Sequence, residues 1–381
     1  MKVLIIPDKF KGTLTAREAG EAIAGGWKSI REEDDLEILP MSDGGDGFGE
    51  VIGGMMGARE VKVETVDAAD RPREASFWWH ARSKTAIIEA AQSNGLAFLP
   101  PGKFHPFDLD TYGLGKIYEA ALAMKPKKVK FGIGGSATND GGFGFARAIG
   151  WKFFDTKLNE ITKWTDLDRL KKIRPPRRFE PVACEVAVDV QNPLLGPSGA
   201  SRIYGPQKGL REGDMAKAEA CLQKLAEAVA KMNGKSKRDL NFAELPGSGA
   251  AGGLGFGLAA FLGARFVPGA DLFARAARLD ERLKSVDVVI SGEGSIDQQS
   301  LMGKGVGAIF DRCRKAGVRC IGLGGSLGPG VQNSLPNDRL TTLMAIVPNL
   351  TTLKEAKAQP ARWLRALAAE AAKKVTLWPE S

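Results

Sequence analysis

Five short apolar runs, each cut off by glycines, a carboxylate or both, constrain this chain more than any other feature. Residues 3–6 end in Pro7 and Asp8, and residues 36–39 lead to Asp43-Gly-Gly-Asp-Gly47. Residues 128–133 lead to Gly134-Gly-Ser-Ala-Thr-Asn-Asp-Gly-Gly142, residues 286–290 to Gly292-Glu-Gly-Ser-Ile-Asp297, and residues 320–323 to Gly324-Gly-Ser-Leu-Gly328. Runs this short and this apolar suit strands buried on both faces of a parallel sheet. Alternating with helical stretches, they predict an α/β fold with a mostly parallel sheet, its ligands lying beyond the carboxyl ends of the strands.

Two helices are legible. Thr15-Ala-Arg-Glu18 has the form of a capping box, and Ala19, Ile23 and Trp27 continue an apolar face behind it. Residues 216–233 place Cys221, Leu222, Leu225, Val229 and Met232 at three-and-four spacing, an ordinary core stripe. The glycine-rich stretch 246–257 predicts a close backbone approach, either between helices or to a ligand.

A chain of 381 residues exceeds what one core usually supports, so two domains with the active site in a cleft between them are expected, one large domain being the alternative. The net charge of +9 is spread among 45 acidic residues without a basic stripe, which argues against nucleic acid and for small anionic partners. Four cysteines without a CxxC pair suit reduced thiols in a cytoplasmic protein. No apolar run reaches membrane-spanning length and no export signal is visible, so no membrane association is expected.

With only two histidines, His80 and His105, in unrelated contexts, acid–base work falls to carboxylates, lysines or water. Asp8, Asp43, Asp46, Asp140, Asp189, Glu293 and Asp297 all fall at or just after strand-like runs, although any of them could instead cap a helix or brace a turn. Around Gly134 and Gly135, the side chains of Ser136, Thr138 and Asn139 add polar groups where a phosphate or carboxylate could be cradled. Glu293 and Asp297 stand four residues apart, an arrangement able to hold Mg2+ through oxygen ligands and waters. Lys9, Lys11 and Lys304 could supply phosphate-neutralising cations, or be surface lysines.

Two glycine patterns compete with this reading. Gly132-x-Gly134-x-x-Ala137, with Asp155 further on, matches the dinucleotide fingerprint of an oxidoreductase in outline, but Thr-Asn-Asp-Gly-Gly is a poor start for the helix that fingerprint needs. Gly247-x-Gly249-x-x-Gly252 follows Glu244-Leu-Pro246 rather than a strand. A Walker A motif is absent.

Taken together, Pro7-Asp-Lys-Phe-Lys-Gly-Thr-Leu-Thr-Ala16, Pro40-Met-Ser-Asp-Gly-Gly-Asp-Gly47, Gly132-Ile-Gly-Gly-Ser-Ala-Thr-Asn-Asp-Gly-Gly142 and Gly292-Glu-Gly-Ser-Ile-Asp297 closely resemble the type I glycerate kinase family. Asp189-Val-Gln-Asn-Pro-Leu194, Tyr204-Gly-Pro-Gln-Lys-Gly209 and Gly247-Ser-Gly-Ala-Ala-Gly-Gly253 extend the resemblance over nearly the whole chain. It implies an ATP- and Mg2+-dependent kinase acting on D-glycerate, with 2-phosphoglycerate as product; the sequence leaves monomer and homodimer open. It also implies a Rossmann-like domain from residues 1–65 and 285–381, with an inserted α/β domain at 66–284. By the same resemblance Asp189 acts as general base, Asp43 and Asp297 act on metal or hydroxyl, and Lys11 and Lys208 contact phosphate or carboxylate. Asp8, Glu293, Gly134, Gly135, Ser136, Thr138 and Asn139 join the substrate and phosphate set. The chain departs from the family at Ser295, where Arg is usual, and at Lys9, where many relatives have Ser. Kinase activity with shifted affinity or acceptor choice is the expectation; a nucleotide-dependent oxidoreductase and a non-catalytic glycerate- or nucleotide-binding relative are the alternatives.

Overall fold

In the computed structural model, which describes residues 1–178, 180–233, 241–301, 305–335 and 340–375, the first apolar run is strand β1 (Lys2–Pro7), buried over its last five residues. Helix Ala16–Lys28 follows, opened by the capping box: Thr15 Oγ1 accepts from the Glu18 N–H, and the Glu18 carboxylate accepts from the Thr15 N–H. After β2 (Asp35–Ile38) the chain enters a second sheet through β3 (Arg59–Val66), β4 (Pro72–His80), β5 (Thr85–Glu89) and β6 (Lys128–Gly132). A hairpin of β7 (Lys152–Asp155) and β8 (Leu170–Arg174) precedes β9 (Ala183–Ala187) and β10 (Arg265–Val267). The first sheet is then completed by β11 (Val288–Ile296), β12 (Arg319–Leu327) and β13 (Thr341–Val347).

By their contacts these elements form two units, Met1–Asp43 with Gly269–Ser381, and Gly44–Pro268. In the first unit the sheet runs β2-β1-β11-β12-β13 with every neighbour parallel. Ile321 and Leu323 of β12 pack with Ile23 and Trp27 of helix Ala16–Lys28 and with Leu364 and Leu367 of helix Pro360–Val375. Gly322, pointing the other way, lies under Phe310 of helix Gly305–Ala316, so helices cover both faces. Such a doubly wound sheet changes direction between β1 and β11, and that switch point is where open α/β sheets bind ligands.

The second unit is built on the order β10-β9-β6-β5-β4-β3, parallel from β10 to β5 and antiparallel beyond. One core lies between this sheet and helices Tyr112–Ala123 and Ala250–Leu262. Another surrounds helix Glu212–Asn233, whose Cys221, Leu222, Leu225 and Val229 are buried as their spacing predicted.

Residues 44–65 and 269–284 lie between these unit limits and the 65/66 and 284/285 boundaries suggested by the resemblance. Helix Phe48–Met56 sits on Trp78 of β4 at Gly49 and Gly53, where a side chain would strike the indole, and β3 pairs with β4 along its whole length. Arg312 of helix Gly305–Ala316 reaches Asp271 and Asp280 at 2.7 Å each. Two elements differ from the sequence expectation: Gly292-Glu-Gly-Ser-Ile and Gly324-Gly-Ser-Leu are not loops but the paired ends of β11 and β12, with Glu293 opposite Gly324 and Ser295 opposite Ser326.

Candidate active site

The switch point of the first unit gathers carboxylates. Asp8 directly follows β1, and its N–H donates to the Gly292 carbonyl at 2.8 Å, extending the pairing with β11. The Met41 N–H donates to the Pro7 carbonyl at 2.8 Å, which brings Asp43 to the same edge. Burial pushes the Asp8 carboxyl up to about 7, with the charges of Asp43 and Glu293 adding and Lys9 opposing. Burial also raises Glu293, a Ser300 hydrogen bond opposing and Asp297 and Asp43 adding. Glu293 Oε1 is buried with no hydrogen-bond partner among the described residues. Asp297 accepts from the Ser300 N–H at 3.0 Å. Lys9 Nζ stands 4.0 Å from Asp43 Oδ1.

Carboxylates that disfavour one another's charge, one with an unoccupied buried oxygen, fit a divalent cation. Among the described residues no three His, Cys, Asp or Glu groups are placed to hold a metal ion by themselves. Lys11 is exposed, its backbone beside Gly294. Lys304 lies outside the described residues.

The second unit presents its own carboxyl edge. Gly132 of β6 stands opposite Ala187 of β9, so Gly134 and Asp189 leave the same edge two residues further on. The Gly134 N–H donates to the Gly44 carbonyl at 2.9 Å, and a Cβ at Gly134 would lie 2.6 Å from Gly45 Cα. Gly135, exposed at φ +74°, turns the chain. Ser136 Oγ accepts from Asn94 Nδ2 at 3.0 Å and lies 2.9 Å from Thr138 Oγ1. Asn139 Nδ2 donates to Ser201 Oγ at 3.0 Å. Lys208 Nζ donates to the Thr138 carbonyl at 2.6 Å. Thr138 and Asn139 are both fully buried, so in this conformation they brace the loop from inside. Asp140 is buried too, its carboxylate accepting from the N–H groups of Thr111, Gly142 and Gly144 and from the Thr111 hydroxyl. It holds the turn into helix Phe143–Ala148.

The glycine-rich stretch makes the expected close approach. Ala251, Gly252 and Gly253 form a left-handed turn against this loop, where the Gly252 carbonyl accepts from the Gly141 N–H at 3.1 Å and a side chain on Gly252 would collide with the Thr138 carbonyl. Neither glycine pattern is a dinucleotide site of the fingerprint type. The helix after Ala137 starts only at Phe143, and Gly252 belongs to the left-handed turn.

Several supporting residues escaped sequence reasoning. Glu89 ends the apolar strand β5 and accepts from the Gly47 and Gly49 N–H groups at 3.0 Å each, holding the start of helix Phe48–Met56. The signal was the same one used elsewhere, an apolar run ending in an acid. Asn94 and Ser201 carry no such signal. Tyr204 Oη donates to Asn192 Oδ1 at 2.6 Å, tying two of the quoted motifs together.

A doubly wound unit with acids at its switch point, carried in one chain with a second α/β unit bearing a glycine-rich polar loop, defines a two-unit α/β protein. The model of the glycerate kinase family matches residues 3–376, and the chain belongs to that family, a family of kinases. A glycerate kinase of Halalkalibacterium halodurans is 36% identical over 94% of this chain and 93% of its own. The glycerate 2-kinase of Escherichia coli K12 is 35% identical, with 93% of each chain covered. A crystal structure assigned as glycerate kinase 2 from Salmonella typhimurium LT2 superposes with a TM-score of 0.79 at 30% identity, covering 99% of this chain and 98% of that one.

Proposed function

We propose that this protein transfers the γ-phosphoryl group of ATP to a hydroxyl of D-glycerate in the cytoplasm, giving 2-phosphoglycerate. The observation that carries this reading is the convergence of Asp8, Asp43 and Glu293, with Asp297 beside Glu293, at the switch point of the first unit. The name of the Escherichia coli relative, a glycerate 2-kinase, supports the choice of hydroxyl. Mg2+ bound with the nucleotide would be held by Asp43 and Asp297 and would neutralise the charge of the phosphates. Lys11, exposed beside Gly294, adds a cation for the phosphates. Asp189, at the edge that also carries Gly134, takes the proton of the acceptor hydroxyl, while Ser136 and Lys208 hold the substrate's anionic oxygens.

The test is ADP release on adding D-glycerate with Mg2+, with the product assigned by NMR. Activity should vanish with EDTA and return with Mg2+. Asp189→Asn should lower kcat about 10²- to 10⁴-fold while nucleotide affinity changes little. An unaffected kcat removes Asp189 from the role of base, and NAD(P)H binding without ADP release removes the kinase reading.

A further inference from the structure

Lys208 carries its amine into the interior of the second unit: the residue is 7% exposed, and among the described residues Nζ makes one hydrogen bond, to the Thr138 carbonyl. An ammonium has three N–H donors, and buried donors are seldom left without acceptors. The charged group facing Lys208 is Asp140, whose carboxylate is already engaged by Thr111, Gly142 and Gly144. The left-handed turn Ala251-Gly252-Gly253 brings no charge, nor do Ser201 and Tyr204 on the lysine's own helix.

Two further observations fall at the same place. A Cβ on Gly252 would stand 2.8 Å from Lys208 Nζ and 2.8 Å from Asn139 Cα, so both residues border that turn. Asn139 Oδ1 is buried and accepts no hydrogen bond among the described residues. Ala251, at φ 55° and ψ 37°, holds a conformation that residues with a Cβ avoid. Strain of that kind collects at ligand clamps and active sites.

We propose that Lys208 is a proton-linked anion receptor: a carboxylate or phosphoryl oxygen of the substrates binds at Nζ, and the amine takes up one proton from solvent as it does so. The inference rests on the kinase reading, which supplies substrates of that charge. Burial pushes Lys208 down to about 7, Asp140 opposing. Above that pH the free amine is neutral and an arriving negative charge favours the ammonium, so affinity falls about tenfold per pH unit. Well below it the proton is already present and none is taken up.

Calorimetric titration of the full chain at pH 8, in buffers of different ionisation enthalpy, reads the proton directly. D-glycerate, ATP and sodium sulfate serve as probes. Uptake approaching one proton is expected with D-glycerate if the receptor takes the carboxylate, or with ATP if it takes the phosphoryl group. Lys208→Met should abolish both the uptake and the pH dependence, its fold being checked by circular dichroism. Should that variant not fold, labelled-lysine NMR of the unaltered chain must show the Lys208 side chain titrating at higher pH once ligand is bound. Binding of D-glycerate and ATP with identical heats in every buffer, uptake that survives Lys208→Met, or an unmoved titration overturns the proposal and leaves the kinase reading standing. If D-glycerate neither binds nor turns over, the kinase reading fails and sulfate decides: uptake upholds the receptor, and its absence overturns it.

Discussion

Asp34 is a carboxylate whose environment fixes its charge. Burial alone would raise it, but hydrogen bonds from Arg31 Nε at 2.6 Å, the terminal amine at 2.8 Å and Trp27 Nε1 at 2.9 Å outweigh that and hold it at about 2. A carboxyl held below its unfolded value stabilises the fold above that unfolded value, and the contribution is lost as pH falls through the folded one. At about 1.4 kcal/mol per unit, Asp34→Asn should cost on the order of 2–3 kcal/mol at pH 7. Urea unfolding of both chains should show the gap closing between about pH 4 and pH 2. The same scale shows what sequence conveys and what it hides. Asp8, Asp43 and Glu293 were legible because each follows an apolar run, and Glu89 offered the same signal. The sequence places Thr138 and Asn139 in the loop but does not reveal that both are fully buried there, against Gly252 more than a hundred residues away. Nothing local encodes that contact.

Gly26 sits where helices Ala16–Lys28 and Pro360–Val375 cross, and a Cβ there would strike the Arg365 carbonyl and meet Ala368 Cβ at 2.9 Å. Helix propensity alone says that Gly26→Ala should stabilise by about 1 kcal/mol. Overpacking a backbone contact costs about 1–3 kcal/mol and here meets a carbonyl that the helix cannot move. The substitution should therefore destabilise by about 1–2 kcal/mol, which the urea midpoint will report. Local signals were sufficient for helix Ala16–Lys28, whose cap and apolar stripe lie within its own sequence. They failed for β11, where Gly292 and Gly294 looked like punctuation. Gly292 instead lets the Leu323 carbonyl come close, a contact that only the neighbouring strand reveals.

The second unit, Gly44–Pro268, is one continuous segment with its own six-stranded sheet and its own cores. Expressed alone, residues 44–268 should give a single cooperative urea transition with helical and sheet circular dichroism. A gradual, probe-dependent transition would mean that the segment depends on the rest of the chain. The α/β class was readable from the alternation of strand-like runs and glycine loops. Where one unit yields to the other was not, because helix Phe48–Met56 declares its allegiance through Trp78 and Glu89, both beyond its own segment of sequence.

The pairing of β1 with β11, Val3 opposite Val288, also sets a timetable for biosynthesis. A ribosome adding about 5–20 residues per second needs on the order of tens of seconds between making the first strand and making its partner. Throughout that interval an apolar amino-terminal segment emerges with one side of its hydrogen-bonding edge untended, while the inserted segment is free to fold. Until β11 is made, β1 can be paired only along the edge that takes β2, and its other edge is open to wrong partners.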